Sequence, residues 1–204
     1  MWFKEKSNAT YSRILLKATD TTPQLDQNGK DLVFPCFEVS TGETKSYYQV
    51  FDGKFVSIEE WSYHSEQMNK DVELVKIKFD CDWEEVIISA SWTGVMRNIV
   101  NSLAGSKVPL WVISIGLYEK EFEGKMYANV WVKNNGEKTE RLISPEEQKK
   151  LKKVIKDPDT DEVIKTKRDD MENKLKEEYT KINGNKAVSK EEVEKKINED
   201  LPFN

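Results

Sequence analysis

The 204-residue sequence predicts a mainly β fold: a small five-stranded barrel with one helix inserted late, then a charged helical extension. Three observations predict it. Nineteen of the 21 aromatic residues precede Leu142, so residues 1–141 hold the material of a core and residues 142–204 cannot bury one alone. Short apolar runs separated by turn residues fill the first 92 positions. From Thr93 the apolar spacing switches to the helical period, and strand-like runs return after Gly105.

The elements follow in order. Tyr11 to Thr19 reads as a short strand, ended by the loop signals Thr21-Thr-Pro-Gln24 and Asn28-Gly29. Leu32 to Val39 and Lys45 to Phe51 follow, parted by Thr41-Gly42. Asp52-Gly53, between Phe51 and Phe55, predicts a two-residue hairpin. Val72 to Phe79 and Glu85 to Ser91 predict another hairpin around Asp80-Cys-Asp-Trp83. Val95, Ile99, Val100 and Leu103 share one face of a helix stopped by Gly105. Leu110 to Tyr118 and Lys125 to Lys133 form a hairpin turning at Glu123-Gly124, and Asn134-Asn-Gly136 launches a last strand to Leu142. Several strands with a single late helix is the pattern of the OB-fold, a five-stranded Greek-key barrel; a sandwich is the alternative.

Beyond residue 143 the composition changes. Ser144-Pro-Glu-Glu147 is a capping box with proline at the first helical position, opening a helix to about Ile155. Asp157-Pro-Asp159 breaks it. Met171, Leu175, Tyr179 and Ile182 make a narrow apolar stripe on a charged helix from Thr166 to Ile182, and Ser189 opens a third piece. These helices are expected at the periphery. The expected organisation is a nucleic-acid-binding domain at 1–143, a charged extension at 144–198 and a short tip at 199–204.

Several functions are disfavoured by what is missing. The two cysteines, Cys36 and Cys81, make no disulfide framework, and with the single histidine, His64, they build no Cys/His zinc site. No nucleophile elbow or glycine-rich phosphate loop is present. No apolar run reaches the roughly 18 residues of a membrane span, and Met1-Trp-Phe-Lys-Glu-Lys6 lacks a signal-peptide core. A non-enzymatic cytoplasmic protein with no cofactor and no bound metal is expected, in the host cytoplasm if the source is viral. The net charge of -5 is spread evenly, 17 basic and 21 acidic residues before Leu142 and 15 and 16 from there on. Any basic surface must therefore be made by folding.

Strand parity locates such a surface. In Lys125–Lys133 one face receives Met126, Ala128, Val130 and Val132; the other receives Lys125, Tyr127, Asn129, Trp131 and Lys133. In Leu110–Tyr118, Trp111, Ile113, Ile115 and Leu117 point inward. Leu110, Val112, Ser114, Gly116 and Tyr118 point outward, so that Ser114 and Gly116 leave an open track ending at Tyr118 and Lys120. Lys76 and Lys78 lie opposite Val75, Ile77 and Phe79. Rings interleaved with ammonium groups suit single-stranded nucleic acid, because bases stack on rings and lysines neutralise phosphates. The alternative is that the C-terminal helices cover Tyr127 and Trp131. Trp83 at a hairpin tip and Trp92 at a strand end are further candidates to clamp a strand, against the alternative of packing beneath a loop. Arg97 is either a phosphate contact or a solvated helix residue.

The segment Leu110-Trp-Val-Ile-Ser-Ile-Gly-Leu-Tyr118 with Gly124-Lys-Met-Tyr-Ala-Asn-Val-Trp-Val-Lys-Asn-Asn-Gly136 resembles the closing hairpin of bacteriophage-type single-stranded DNA-binding proteins. The terminus Glu199-Asp-Leu-Pro-Phe-Asn204 is similar to the acidic tip by which bacterial single-strand binding proteins recruit replication and repair enzymes. The resemblance implies an OB-fold protein that coats single-stranded DNA during replication, recombination and repair. It also implies that Asp200, Leu201, Pro202 and Phe203 dock on partner proteins. Here Asn204 follows Phe203, and two acids precede Leu201. Two other classes stay open. A metal-dependent nuclease would use the carboxylates Asp80, Asp82, Glu84 and Glu85 or Glu119, Glu121 and Glu123. A protein-interaction module would use the same barrel without nucleic acid.

Overall fold

The computed structural model describes residues 10–18, 20, 22–41, 44–66, 69–81, 84–150, 154–156 and 163–184. The fold is mainly β. Strands β1 (Thr10–Leu15), β2 (Cys36–Thr41), β3 (Thr44–Tyr48), β4 (Val50–Ser65), β5 (Lys70–Cys81) and β6 (Glu84–Ala90) precede helix α1 (Gly94–Ala104). Strands β7 (Val112–Phe122), β8 (Lys125–Asn134) and β9 (Glu137–Lys138) follow it. The extension supplies α2 (Pro145–Lys150), a separate small hairpin of β10 (Val154–Lys156) and β11 (Val163–Thr166), then α3 (Lys167–Glu177) and α4 (Tyr179–Gly184).

The nine strands form one mixed sheet in the order β3-β2-β1-β6-β5-β4-β7-β8-β9. Every neighbouring pair is antiparallel except β1 with β6. The expected closed five-stranded barrel is thereby corrected. Strands β4 to β8 lie in the order β6-β5-β4-β7-β8 with α1 between β6 and β7, but β6 and β8 do not pair. The edge of β6 is taken by β1, through Thr10↔Val86 to Arg13↔Ser89, which satisfies the backbone groups that closure would have used.

A second correction concerns Asp52-Gly53. Instead of turning there, β4 runs on to Ser65. Gly53 faces the core, and a Cβ on it would lie 2.9 Å from both Cys81 Sγ and the Phe79 Cβ. The glycine therefore serves close packing rather than a turn.

One face of the sheet, here the inner face, carries Phe55, Ile58, Val75, Ile77, Phe79, Ile88, Ile113, Ile115, Val130 and Val132, all buried. Helix α1 closes it. Thr93 caps the helix by accepting from Met96 N at 3.2 Å, and Val95, Met96, Ile99, Val100 and Leu103 turn into the core. Buried Asn101 anchors the chain leaving the sheet, since it donates to Ile143 O at 2.9 Å and accepts from Ile143 N at 2.7 Å. The capping box forms as expected: Glu147 N donates to Ser144 Oγ and Ser144 N to the Glu147 carboxylate.

The C-terminal helices do not stay peripheral. The predicted stripe is real, but it breaks at Glu178 into α3 and α4 and joins the core through Met171, Leu175, Tyr179 and Ile182. Asn183 of α4 donates to Ile58 O at 3.0 Å and accepts from Ile58 N at 2.8 Å, pairing β4 where β7 has not yet begun. Lys176 bridges Glu60 and Glu73 on the same side. Burial lowers the Lys176 amine, but those two carboxylates outweigh it and raise the amine above its usual range. Helices α1, α3 and α4 thus occupy the inner face. The outer face is covered at its β1–β3 end, where Leu32 and Phe34 pack on Leu15, Cys36 and Tyr47.

Candidate nucleic-acid interface

Residues paired across a ladder share a face, so the registers trace the outer surface strand by strand. In the β7–β8 hairpin, Phe122 pairs with Lys125, Lys120 with Tyr127, Tyr118 with Asn129, Gly116 with Trp131 and Ser114 with Lys133. Tyr118, Lys120, Lys125, Tyr127, Trp131 and Lys133, the binding residues expected on this hairpin, all lie on that one face. Val130 and Val132 are buried behind it. Tyr127 is 50% exposed, Lys120, Lys125 and Lys133 are exposed, and Trp131 is half-buried. No described helix covers these rings.

The distal part of the hairpin sorts its charges. Pairing between β4 and β7 ends at Val50↔Gly116, with one further hydrogen bond from Leu117 N to Gln49 O. Beyond that point Tyr118, Lys120, Phe122, Lys125 and Tyr127 share the outer side, while Glu119, Glu121, Met126 and Ala128 share the other. Alternating acid and base along β7 therefore becomes a basic, aromatic face backed by an acidic one. The turn uses Glu123 (φ 52°) and Gly124 (φ 73°), as a tight hairpin requires.

The open track expected along β7 is corrected. Strand β7 starts at Val112, Leu110 is fully buried, and Trp111 is half-buried rather than inward. Gly116 is not bare. The Trp131 indole lies across it, so closely that a Cβ on residue 116 would sit inside the ring. Lys133 Nζ is 5.2 Å from the same ring. The glycine is the cradle of the tryptophan.

Lys76 and Lys78 point outward from β5, as parity predicts. Lys78 Nζ is 3.3 Å from Glu59, so its charge is partly engaged. Lys76 Nζ sits 3.9 Å from the centroid of Trp61, an aromatic outside the expected binding set. Trp61 is 43% and Tyr63 41% exposed, and their rings stack at 5.3 Å and 25°. The cause of their outward placement is local. Register shifts between Phe55 and Ser57, so one extra residue in β4 inverts the parity set by buried Phe55. Trp61 and Tyr63 emerge beside Lys76 instead of beneath it.

Toward the other edge, Tyr11 and Arg13 of β1 continue the same face, paired with Ile87 and Ser89. Buried Glu38 is held there by Arg13 Nε at 2.7 Å, Lys45 Nζ at 3.5 Å and the Tyr47 hydroxyl at 3.2 Å. Burial works to raise the Glu38 carboxyl, but Arg13, Lys45 and Tyr47 outweigh it and hold the group below the usual carboxylate range. Burial, with Glu38 nearby, pushes the Cys36 thiol to about 11, which makes it inert. Among the described residues, no carboxylate pairs with Lys76, Lys120, Lys125 or Lys133.

One candidate is overturned. Trp92 is only 9% exposed and lies on the inner side, parallel to Tyr179 of α4 at 6.4 Å and 12°. The C-terminal helices, expected at the periphery, bury it. Arg97 is likewise engaged inside, with Glu172 at 2.6 Å and Trp92 O at 3.0 Å. Trp83, Asp82 and the tip residues Asp200, Leu201, Pro202 and Phe203 lie outside the described residues. Glu84 accepts from Thr10 Oγ1 at 2.6 Å, and among the described residues no group of three acidic, His or Cys side chains is arranged to hold a metal ion. No described helix is long and apolar enough to cross a membrane. Compared with known proteins, the chain matches no family model, no curated protein and no solved structure.

Proposed function

We propose that this protein binds single-stranded DNA with little sequence preference and coats strands exposed during replication or recombination, without catalysis. The carrying observation is the outer face of β7–β8, where Tyr118, Phe122, Tyr127 and Trp131 alternate with Lys120, Lys125 and Lys133 on the side that the helices leave open. Unstacked bases supply the partners such rings lack, at about 1–3 kcal/mol per base. The lysines supply phosphate contacts, and among the described residues Lys120, Lys125 and Lys133 have no carboxylate partner to displace. A duplex keeps its bases stacked and offers the rings nothing.

The strand order lends support. Five strands ordered third-second-first-fourth-fifth, with the helix between third and fourth, are those of β6-β5-β4-β7-β8. That arrangement is compatible with a partly open OB-type barrel, whose second and third strands and whose loops after the first and fourth carry oligonucleotides. The choice of DNA, the cytoplasmic location and the docking of Asp200–Phe203 on replication or recombination proteins follow from the resemblance of the hairpin and of the terminus.

The test is the Tyr127→Ala/Trp131→Ala double variant. With far-UV circular dichroism unchanged, its affinity for an unstructured single-stranded oligonucleotide is expected to fall at least tenfold, as loss of two stacking rings demands. Undiminished affinity in the folded variant would show that this face does not bind the strand.

A further inference from the structure

We infer that Trp61, Tyr63 and Lys76 form a second base-stacking platform, so that one strand of DNA crosses the outer face from the β7–β8 hairpin to the β4–β5 hairpin. The inference rests on the single-strand reading above and adds the path.

The platform stands on its own observations. Elsewhere on β4 the rings are packed, with Phe51 and Phe55 both against Phe79. Trp61 and Tyr63 alone of the β4 aromatics stay more than two-fifths exposed, forgoing burial worth about 1.5–3 kcal/mol for a large apolar side chain. They are exposed because of the bulge before Ser57, a feature that re-aims side chains. Their charges are sorted as in the other hairpin. Lys76 and Lys78 lie outward with the rings, while Glu60, Glu73 and Asp71 lie on the opposite side, the first two engaged by Lys176 and the third by His64 at 3.0 Å. Glu59, the one carboxylate beside the rings, is occupied by Lys78. The Lys76 ammonium rests on the Trp61 ring. A base stacking there takes its place and frees the ammonium for the adjoining phosphate.

The spacing fits one strand. Trp131 lies beside Gly116, which pairs with Val50, and Trp61 stands eleven residues further along β4. At about 3.3 Å per residue the two platforms are roughly 36 Å apart along the strand direction. An unstacked strand extends further per nucleotide than the roughly 3.4 Å of a stacked one, so it bridges that gap with about ten nucleotides or fewer, inside the usual 4–16 for one such fold.

The experiment compares Trp61→Ala/Tyr63→Ala with Tyr127→Ala/Trp131→Ala on a 16-nucleotide and a 4-nucleotide oligothymidylate. On the 16-mer each double variant is expected to lose at least fivefold, because both platforms hold it at once; on the 4-mer, which is too short to reach both, Trp61→Ala/Tyr63→Ala loses about twofold or less. Trp61→Phe/Tyr63→Phe retains stacking and is expected to stay within about twofold of the parent on both. A folded Trp61→Ala/Tyr63→Ala with full 16-mer affinity, beside a weakened Tyr127→Ala/Trp131→Ala, would overturn the second platform and leave the first standing. Full affinity in both would remove the single-strand reading itself.

Discussion

Replacing Gly116 with alanine would place a methyl group inside the Trp131 indole, where the glycine now leaves room for the ring. The backbone has little freedom to retreat, because residue 116 pairs with Val50 on one side and with Trp131 on the other. The ring must rotate off the strand. Overpacking of this kind costs about 1–3 kcal/mol of stability, and loss of one stacking ring costs about 1–3 kcal/mol of binding. The second figure is roughly a 5- to 150-fold weaker complex. Trp131→Ala removes the same ring directly. The two substitutions therefore act on one object, and their effects on binding should not add. The Gly116→Ala/Trp131→Ala variant is expected to bind like Trp131→Ala alone, an interaction energy well outside the roughly 0.3–0.5 kcal/mol scatter of independent sites. In the Trp131→Ala background the methyl enters vacated space, so adding Gly116→Ala there should lower the melting temperature less than it does in the parent. Fluorescence anisotropy of a labelled oligonucleotide at fixed salt, with circular dichroism as the folding control, makes the measurement. Additive losses, or full affinity in Gly116→Ala, would refute the cradle.

Two further expectations follow from particular residues. Burial works against the ionised Glu38 carboxylate, but Arg13, Lys45 and Tyr47 outweigh it and hold its pKa below the ordinary 4.5, so it stabilises the fold above that pH and its contribution fades as pH falls through the lowered value. Thermal melts of the parent and Glu38→Gln should differ at pH 7 and converge on acidification below about 4.5; a gap that widens there contradicts the assignment. Deleting residues 199–204 removes two carboxylates and is expected to leave affinity for single-stranded DNA equal or slightly higher, by the same titration. A large loss would give that terminus a different role.

Local periodicity made part of this structure legible. Thr93 and Gly105 bound the helix, Glu123-Gly124 turns the late hairpin, and the parity of Lys125–Lys133 places each ring and amine on the side where it is found. What failed needed information from distant parts of the chain. Gly53 looks like a turn until Phe79 and Cys81 are seen pressing against it. The partner of β6 is β1, some 75 residues away, and no local pattern announces that it takes the edge a barrel would have closed. The bulge before Ser57 hides in an unremarkable Phe-Val-Ser and inverts everything beyond it, so that Trp61 and Tyr63 face outward beside Lys76. Trp92 fails for a related reason. Its cover comes from Tyr179, in a segment too charged to make a core of its own but apolar enough, through Leu175 and Ile182, to complete one. The even charge balance concealed the sorting of Lys120 from Glu119 and Glu121, which exists only once β7 is extended.

The most direct measurement is the intrinsic tryptophan fluorescence of the intact chain, titrated with a 16-nucleotide single strand and with its duplex as sodium chloride rises. Each phosphate neutralised on a single strand contributes about 0.7 to the logarithmic salt slope, so four or five of the outer lysines predict a slope near -3 with quenching by the single strand. Weak duplex binding is expected beside it. A flat salt response without quenching, or equal affinity for the duplex, would contradict an outer face built to hold unstacked bases.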